Sequence, residues 1–319
     1  MHQVDEVLMN ERIEILSVDL LDSRAGLVEE FRTTARKLGL ELGWHYALDF
    51  AWIASHLGEP SGKRILDAGA GTGVLQWWLA DKGAEIVSVD RTDRTDLSCR
   101  FRMAYDVRGL RPEDLSPTWR LVPLRLLDRS RSIGGKIGGA AKAAITTFIE
   151  PMSSKASGKV IFYHQDLSSM PDLPDGSFDA IVSVSALEHN RPDTLQGTVK
   201  ELLRVLKPDG LLLATLAAAK DQDWYHEPSK GWCYSDESLR RIFALSGSAW
   251  SNYQDYDLLF AKLFDCAELR ENLPSEVFES GDNGMPWGNW DPKYQPVGVR
   301  KMISNRGRVA LKREAHEQP

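Results

Sequence analysis

Arg64-Ile65-Leu66-Asp67-Ala68-Gly69-Ala70-Gly71-Thr72-Gly73 reads as a buried strand running into a glycine-rich turn and then a helix. Ile65 and Leu66 form the apolar end of the strand, and Val74 to Leu79 continue as the helix. The glycines let the backbone turn tightly and approach a ligand closely. In open α/β sheets such a ligand lies across the carboxyl ends of the strands.

The spacing discriminates between ligands. A dinucleotide fingerprint, G-x-G-x-x-G/A, needs glycine or alanine where this chain has Val74, and the third glycine arrives one residue early. About 20 residues on, the strand Glu85-Ile86-Val87-Ser88-Val89 ends in Asp90, placed to accept from two ribose hydroxyls. A third strand, 159–164, leads into Gln165-Asp166-Leu167. A continuous apolar strand, 177–185, runs into Ala186-Leu187-Glu188-His189, and Glu201-Leu-Leu-Arg-Val-Leu-Lys-Pro-Asp-Gly210 leads to a fifth strand at 211–216.

These motifs, in this order over residues 62–217, resemble the class I S-adenosylmethionine-dependent methyltransferases of the ubiquinone-biosynthesis type, also described as methyltransferase type 11-like. The resemblance implies an α/β, Rossmann-like class I methyltransferase fold: a mostly parallel seven-stranded sheet with helices on both faces. It implies S-adenosyl-L-methionine as cofactor, held by Asp67, Gly69, Ala70, Gly71, Gly73, Asp90, Arg91, Asp166, Leu167 and Ser185. That ligand carries a sulfonium and an ammonium in place of a pyrophosphate. Asp67 suits the ammonium, and the helix N-terminus suits the carboxylate.

The expected organisation is an N-terminal helical extension, 1–60, and a methyltransferase domain, 61–319, with an insertion at 91–158 and a variable region at 218–296. In the extension, Leu27, Phe31, Ala35 and Leu38 recur at helical spacing before Gly39, and a second, aromatic helix runs from about Trp44 to Gly58. The second helix offers His45 and Tyr46 to a substrate. The insertion carries thirteen basic and seven acidic residues, a net +6 in a chain of net −7. Its stretch Ser132 to Ile145 lacks G-K-[ST] and reads as a lid of small residues. Such a basic segment suits an anionic acceptor or peripheral contact with an anionic membrane surface, or it is simply a solvated face.

The loop 217–235 brings Trp224, Tyr225, His226 and Glu227 after the fifth strand, at the ligand-facing edge. Ser235 caps the next helix, 255–260 is expected as a sixth strand, and 297–303 with 308–311 as the closing antiparallel element. Methyl transfer is an in-line displacement, and an oxygen acceptor must also lose a proton. His189, Glu188 and His226 are the candidate bases; Tyr46, Trp224, Tyr225 and Glu227 are the candidate acceptor contacts.

Composition bounds the rest. An apolar fraction of 42% and a charged fraction of 27% are those of a globular protein without a membrane span. The first residues lack a secretory pattern, and Cys99, Cys233 and Cys266 lack metal or disulfide spacing, so a cytoplasmic location and no metal are expected. Net negative charge disfavours nucleic acid as a partner. The expected partner is a small-molecule or glycan acceptor, phosphorylated and lipid-linked forms included, most simply methylated at oxygen. Two other readings stand beside this one: a non-catalytic S-adenosylmethionine-binding scaffold, and a nicotinamide-dependent oxidoreductase, which Val74 opposes. Oligomeric state is left open.

Overall fold

A computed structural model of the chain describes residues 11–117, 156–279 and 285–303. The Ser132 to Ile145 stretch, residues 308–311 and most of the basic insertion lie outside them.

In chain order, β1 (Arg12–Ile15) precedes helices α1 (Asp19–Ser23), α2 (Ala25–Leu38) and α3 (Tyr46–Leu57). Then follow β2 (Arg64–Ala68), α4 (Leu75–Asp81), β3 (Glu85–Asp90), α5 (Cys99–Ala104), β4 (Asp106–Gly109) and β5 (Lys159–His164). Next are β6 (Phe178–Val184), α6 (Pro192–Val205), β7 (Leu206–Ala218), β8 (Trp224–His226), β9 (Gly231–Tyr234) and α7 (Asp236–Ile242). The described chain closes with β10 (Trp250–Ser251), α8 (Tyr256–Phe264), α9 (Ala267–Glu271), α10 (Glu276–Glu279) and β11 (Gln295–Met302).

The strands form one mixed sheet in the order β10-β1-β11-β7-β6-β2-β3-β5-β4, with the β8–β9 hairpin joined to β7 through β9. From β7 to β4 every pairing is parallel, and β11 runs antiparallel to β7. Alternation along the strands splits the core into two layers. Ile65, Ile86, Val182 and Leu213 face α2, α3 and α4 with Phe31, Phe50, Trp52 and Trp77. Leu66, Val87, Ile181 and Leu212 face α6 and α7 with Leu202, Leu239 and Phe243. No helix among the described residues is long and apolar enough to cross a membrane.

The sheet is wider than the seven strands expected, and its edges show why. Residues 256–264 are helix α8, not strand, because Tyr256 and Leu263 fall on one buried helical face. The place outside β11 is taken by β1, antiparallel in the register Arg12↔Arg300 to Ile15↔Val297. The N-terminal segment is therefore not purely helical. At the opposite edge β4, from within the expected insertion, pairs parallel with β5. The turn at Lys207–Gly210 sits inside β7 as an irregularity between Leu206, paired with Phe178, and Leu211, paired with Ala180.

Two local signals act as expected. Gly39 takes a left-handed φ of 57° after α2, and the Leu40 N–H returns to the Ala35 carbonyl at 2.9 Å. The Ser235 hydroxyl accepts the Ser238 N–H at the start of α7, and Asp223 Oδ1 accepts the Ser235 N–H at 2.8 Å.

Helix α3 packs on the junction of β7 and β11, where Trp52 is fully buried and Gly298 provides the space for its indole. A methyl at position 298 would sit 2.5 Å from the ring. Gly298→Ala should therefore lower stability by about 1–3 kcal/mol through overpacking, read as an earlier urea midpoint at unchanged slope.

Candidate functional site

The carboxyl ends of β2, β3, β5 and β6 open into a cavity of about 530 Å³. Its floor is the turn after β2. Gly69 has φ of 75° and donates its N–H to the Val89 carbonyl at 2.9 Å; a Cβ here would overlap the Cβ of Ala186 after β6. Gly71, at φ 48°, donates its N–H to Asp90 Oδ2 at 2.7 Å, and the other oxygen of Asp90 accepts the Thr92 N–H at 2.7 Å. Only glycine reaches both conformations without strain while allowing this approach.

A buried polar brace supports the turn from below. The Arg94 guanidinium is 7% exposed; it donates to the Gly71 carbonyl at 3.0 Å and to the Ser88 hydroxyl at 2.6 Å, and lies over the Phe162 ring. Gln76 Nε2 donates to the Gly73 carbonyl at 3.1 Å, and its Oε1 accepts from Ser88 at 2.8 Å. Sequence reasoning passed over this brace. Arg94 was only one charge among thirteen in a basic stretch, although the lone polar Gln76 inside an apolar helix was a signal.

Asp67, next to last in β2, is 3% exposed, with no hydrogen bond to its carboxylate among the described residues. Burial pushes its carboxyl up to about 7; Arg94 opposes that rise and Asp90 adds to it. Asp166, after β5, is exposed, and hydrogen bonds from the Ser168 hydroxyl and N–H hold its carboxyl below the usual range. The site thus offers a buried acid open to a cation, a second acid at the tip of β3 and a third near the opposite wall.

Asp67, Gly69, Ala70, Gly71, Gly73, Asp90, Arg91, Asp166, Leu167 and Ser185 all line this cavity, with Tyr46 and His189. So do Leu40 to Gly43, Asn190 and Pro274, none of which the motifs singled out. His189 donates its Nδ1–H to the Lys230 carbonyl at 3.0 Å, which leaves Nε2 with its lone pair.

The remaining candidates lie elsewhere. Trp224, Tyr225 and His226 form strand β8, which folds back antiparallel on β9; neither these residues nor Glu227 line the cavity. His226 is buried with Nδ1 against the Ser229 hydroxyl at 2.7 Å, and burial lowers its proton affinity. Tyr225 packs against Trp232, and Glu227 is exposed. Glu188 is 5% exposed and sits behind the wall, where its Oε1 accepts from the Ser185 hydroxyl. Ser185 has a positive φ of 46°, an uncommon conformation for a residue with a side chain. No cluster of histidine, cysteine and acidic residues suited to a metal occurs among the described residues.

Known proteins share parts of this chain. A tRNA U34 carboxymethyltransferase from Psychrobacter arcticus is 34% identical over 67 residues, 21% of this chain and 18% of that protein. The ribosomal RNA small subunit methyltransferase C of Chromohalobacter salexigens is 50% identical over 38 residues, 12% of this chain and 11% of that protein. The chain thus matches about a tenth to a fifth of the length of these curated relatives. Among solved structures, the 1,6-didemethyltoxoflavin-N1-methyltransferase of Burkholderia thailandensis, with 1,6-didemethyltoxoflavin and S-adenosylhomocysteine bound, is 14% identical. It aligns over 95% of this chain and 90% of its own, with a TM-score of 0.42. Residues 45–251, well over half of the chain and the span that builds the glycine turn and its acids, match the methyltransferase-domain family, and the chain belongs to that family.

Proposed function

We propose that this enzyme moves a methyl group from S-adenosylmethionine to an oxygen of a small-molecule or glycan acceptor, with His189 as the base. The observation that carries this reading is the cavity itself, which joins the glycine turn and its acids to His189.

The cavity residues fit the cofactor. The carboxylate of Asp67, without a donor of its own among the described residues, suits an ammonium group. Asp90 suits a ribose diol, and Asp166 the adenine amino group. When bound, the cofactor supplies a methyl group activated by an adjacent sulfonium. The residues of the chain do the rest: the turn fixes direction, Tyr46 and Ser185 bound the space for an acceptor, and His189 accepts the acceptor's proton. Glu188 and His226 lie outside the cavity wall, which favours His189 over both.

The stretches shared with RNA-modifying enzymes cover only 12% and 21% of this chain, and a net charge of −7 supports a small acceptor over nucleic acid. The basic insertion remains the element through which a phosphorylated or lipid-linked acceptor, or an anionic membrane surface, would be gathered. Cytoplasmic residence fits this reading.

The deciding experiment is calorimetric titration with S-adenosylmethionine, S-adenosylhomocysteine and NAD, followed by an acceptor screen that reads S-adenosylhomocysteine release, with tRNA as one arm. Saturable binding of the first two ligands alone is expected. Release with sugars or hydroxylated small molecules, and none with tRNA, supports the acceptor class; the reverse sinks it.

Three residue-level outcomes follow from the geometry. Asp90→Ala should weaken cofactor binding by about tenfold or more, since a bidentate charged acceptor and the Gly71 tether are both lost; unchanged binding removes its ribose role. Because the Asp67 carboxyl is raised to about 7, the ligand-free fold gains stability from the acid form, and that gain is lost as pH rises through about 7. A bound ammonium reverses the preference, so affinity should climb from about pH 6 to about pH 8 with proton release, and Asp67→Asn should flatten the profile. His189→Gln should reduce turnover by about a hundredfold or more at near-constant cofactor affinity; loss of cofactor binding alone would instead assign it a structural part.

A further inference from the structure

We propose that the strap Leu40-Glu41-Leu42-Gly43 is a gate over the cofactor, latched shut by Glu41 on Ser275. It must swing away for S-adenosylmethionine to enter and for S-adenosylhomocysteine to leave. The inference rests on the methyltransferase reading above and adds how that site exchanges its cofactor.

The strap crosses the ligand end of the sheet. It lines the same cavity as the turn Gly69 to Gly73, together with Pro274. Just before it, a Cβ on Gly39 would meet the Arg100 guanidinium at 2.9 Å, so this end lies against α5, which follows β3. Just after it, Trp44 meets the rings of Trp290 and Tyr294 at 5.8 and 5.5 Å, close to the start of β11. Strands β2, β6 and β7 lie between β3 and β11 in the sheet, so these four residues bridge the strand ends from which the site is built.

One carboxylate and two leucines hold the strap in place. Among the described residues, the N–H groups of Glu41, Leu42 and Gly43 make no backbone hydrogen bond. Glu41 Oε2 instead accepts two bonds from a distant part of the chain, the Ser275 N–H at 2.7 Å and the Ser275 hydroxyl at 2.8 Å. Leu40 and Leu42 are half-buried against the apolar layer. A segment with so few backbone bonds opens at lower free energy than the helices beside it, and glycines at 39 and 43 give it pivots. Its supports stay behind, because Arg32 on α2 holds Glu268 on α9 at 2.7 Å.

The latch makes a kinetic distinction. Its two bonds run from chain to chain and include no ligand atom, so the same opening precedes entry and departure. A gate of this kind slows both passages alike and leaves affinity nearly untouched, whereas a side chain that grips the ligand slows departure alone. Glu41 and Ser275 both lie outside residues 45–251, so the gate is built by the segments that flank the shared domain.

The test follows S-adenosylhomocysteine on and off the immobilised whole chain by surface plasmon resonance. Ser275→Asp sets a second carboxylate against Glu41, and the association and dissociation rates should both rise about tenfold at near-constant Kd. Glu41→Ala removes the latch from the strap side and should act alike, whether or not the first variant folds. Adding Glu41→Lys to Ser275→Asp should return both rates toward those of the wild type, since an ion pair then replaces the latch. Unchanged rates in both single variants, no recovery in the double variant, or faster dissociation alone with weaker binding overturns the inference; the last result would make Glu41 a ligand contact. Failure of S-adenosylhomocysteine to bind the wild-type protein overturns the methyltransferase reading itself.

Discussion

Everything at the ligand end of this sheet depends on how the backbone after β2 is held while it turns. The N–H of Gly71 is taken by Asp90 and its carbonyl by Arg94, so one peptide segment is clamped from two sides by opposite charges. A loop free to move would have to be ordered by its ligand, at a cost to affinity. Here the ordering is supplied by the fold. Asp90 and Arg94 both follow from the strand next to β2, so the clamp requires parallel pairing of β2 with β3 in the register Asp67↔Ser88.

That clamp also sets the electrostatics. Arg94 holds a positive charge under two acids, one of which, Asp67, is buried deeply enough to be pushed toward its neutral form. The arginine lets Asp67 stay acidic enough to matter near neutral pH, while burial keeps its charge from being wasted on solvent. The wall at the end of β6 works on a related principle, with an acid placed out of water and given one hydroxyl partner. The two acids differ in what stands nearby: a guanidinium for Asp67, imidazoles for Glu188.

The glycine turn, the acids at strand tips and the order β2, β3, β5, β6 and β7 were legible because each is a local pattern tied to a local conformation. Strand edges were not. The apolar run at 256–264 fits helix or strand equally; burial of Tyr256 and Leu263 on one face makes it a helix, and β1 takes the place beside β11. Nor could spacing say which way the β8–β9 hairpin would fold, so Trp224, Tyr225 and Glu227 were set at a site they do not line. Asp49 carried no sign of its burial, since an acid in the middle of an aromatic helix gives no indication in sequence of which way it faces.

The pairing of β1 with β11 joins residues separated by almost the whole chain, Arg12 to Arg300. During synthesis, the strands from β2 to β7 can pair through crossovers as they emerge, whereas β7 waits with one flank uncovered until β11 is made. The first strand waits with it on that side, since β11 follows every other described strand. Until β11 is made, the inner sheet can already be built while its β7 flank is still open. Newly made copies are most prone to join edge to edge in that interval, and the speed with which β11 docks governs how many escape it.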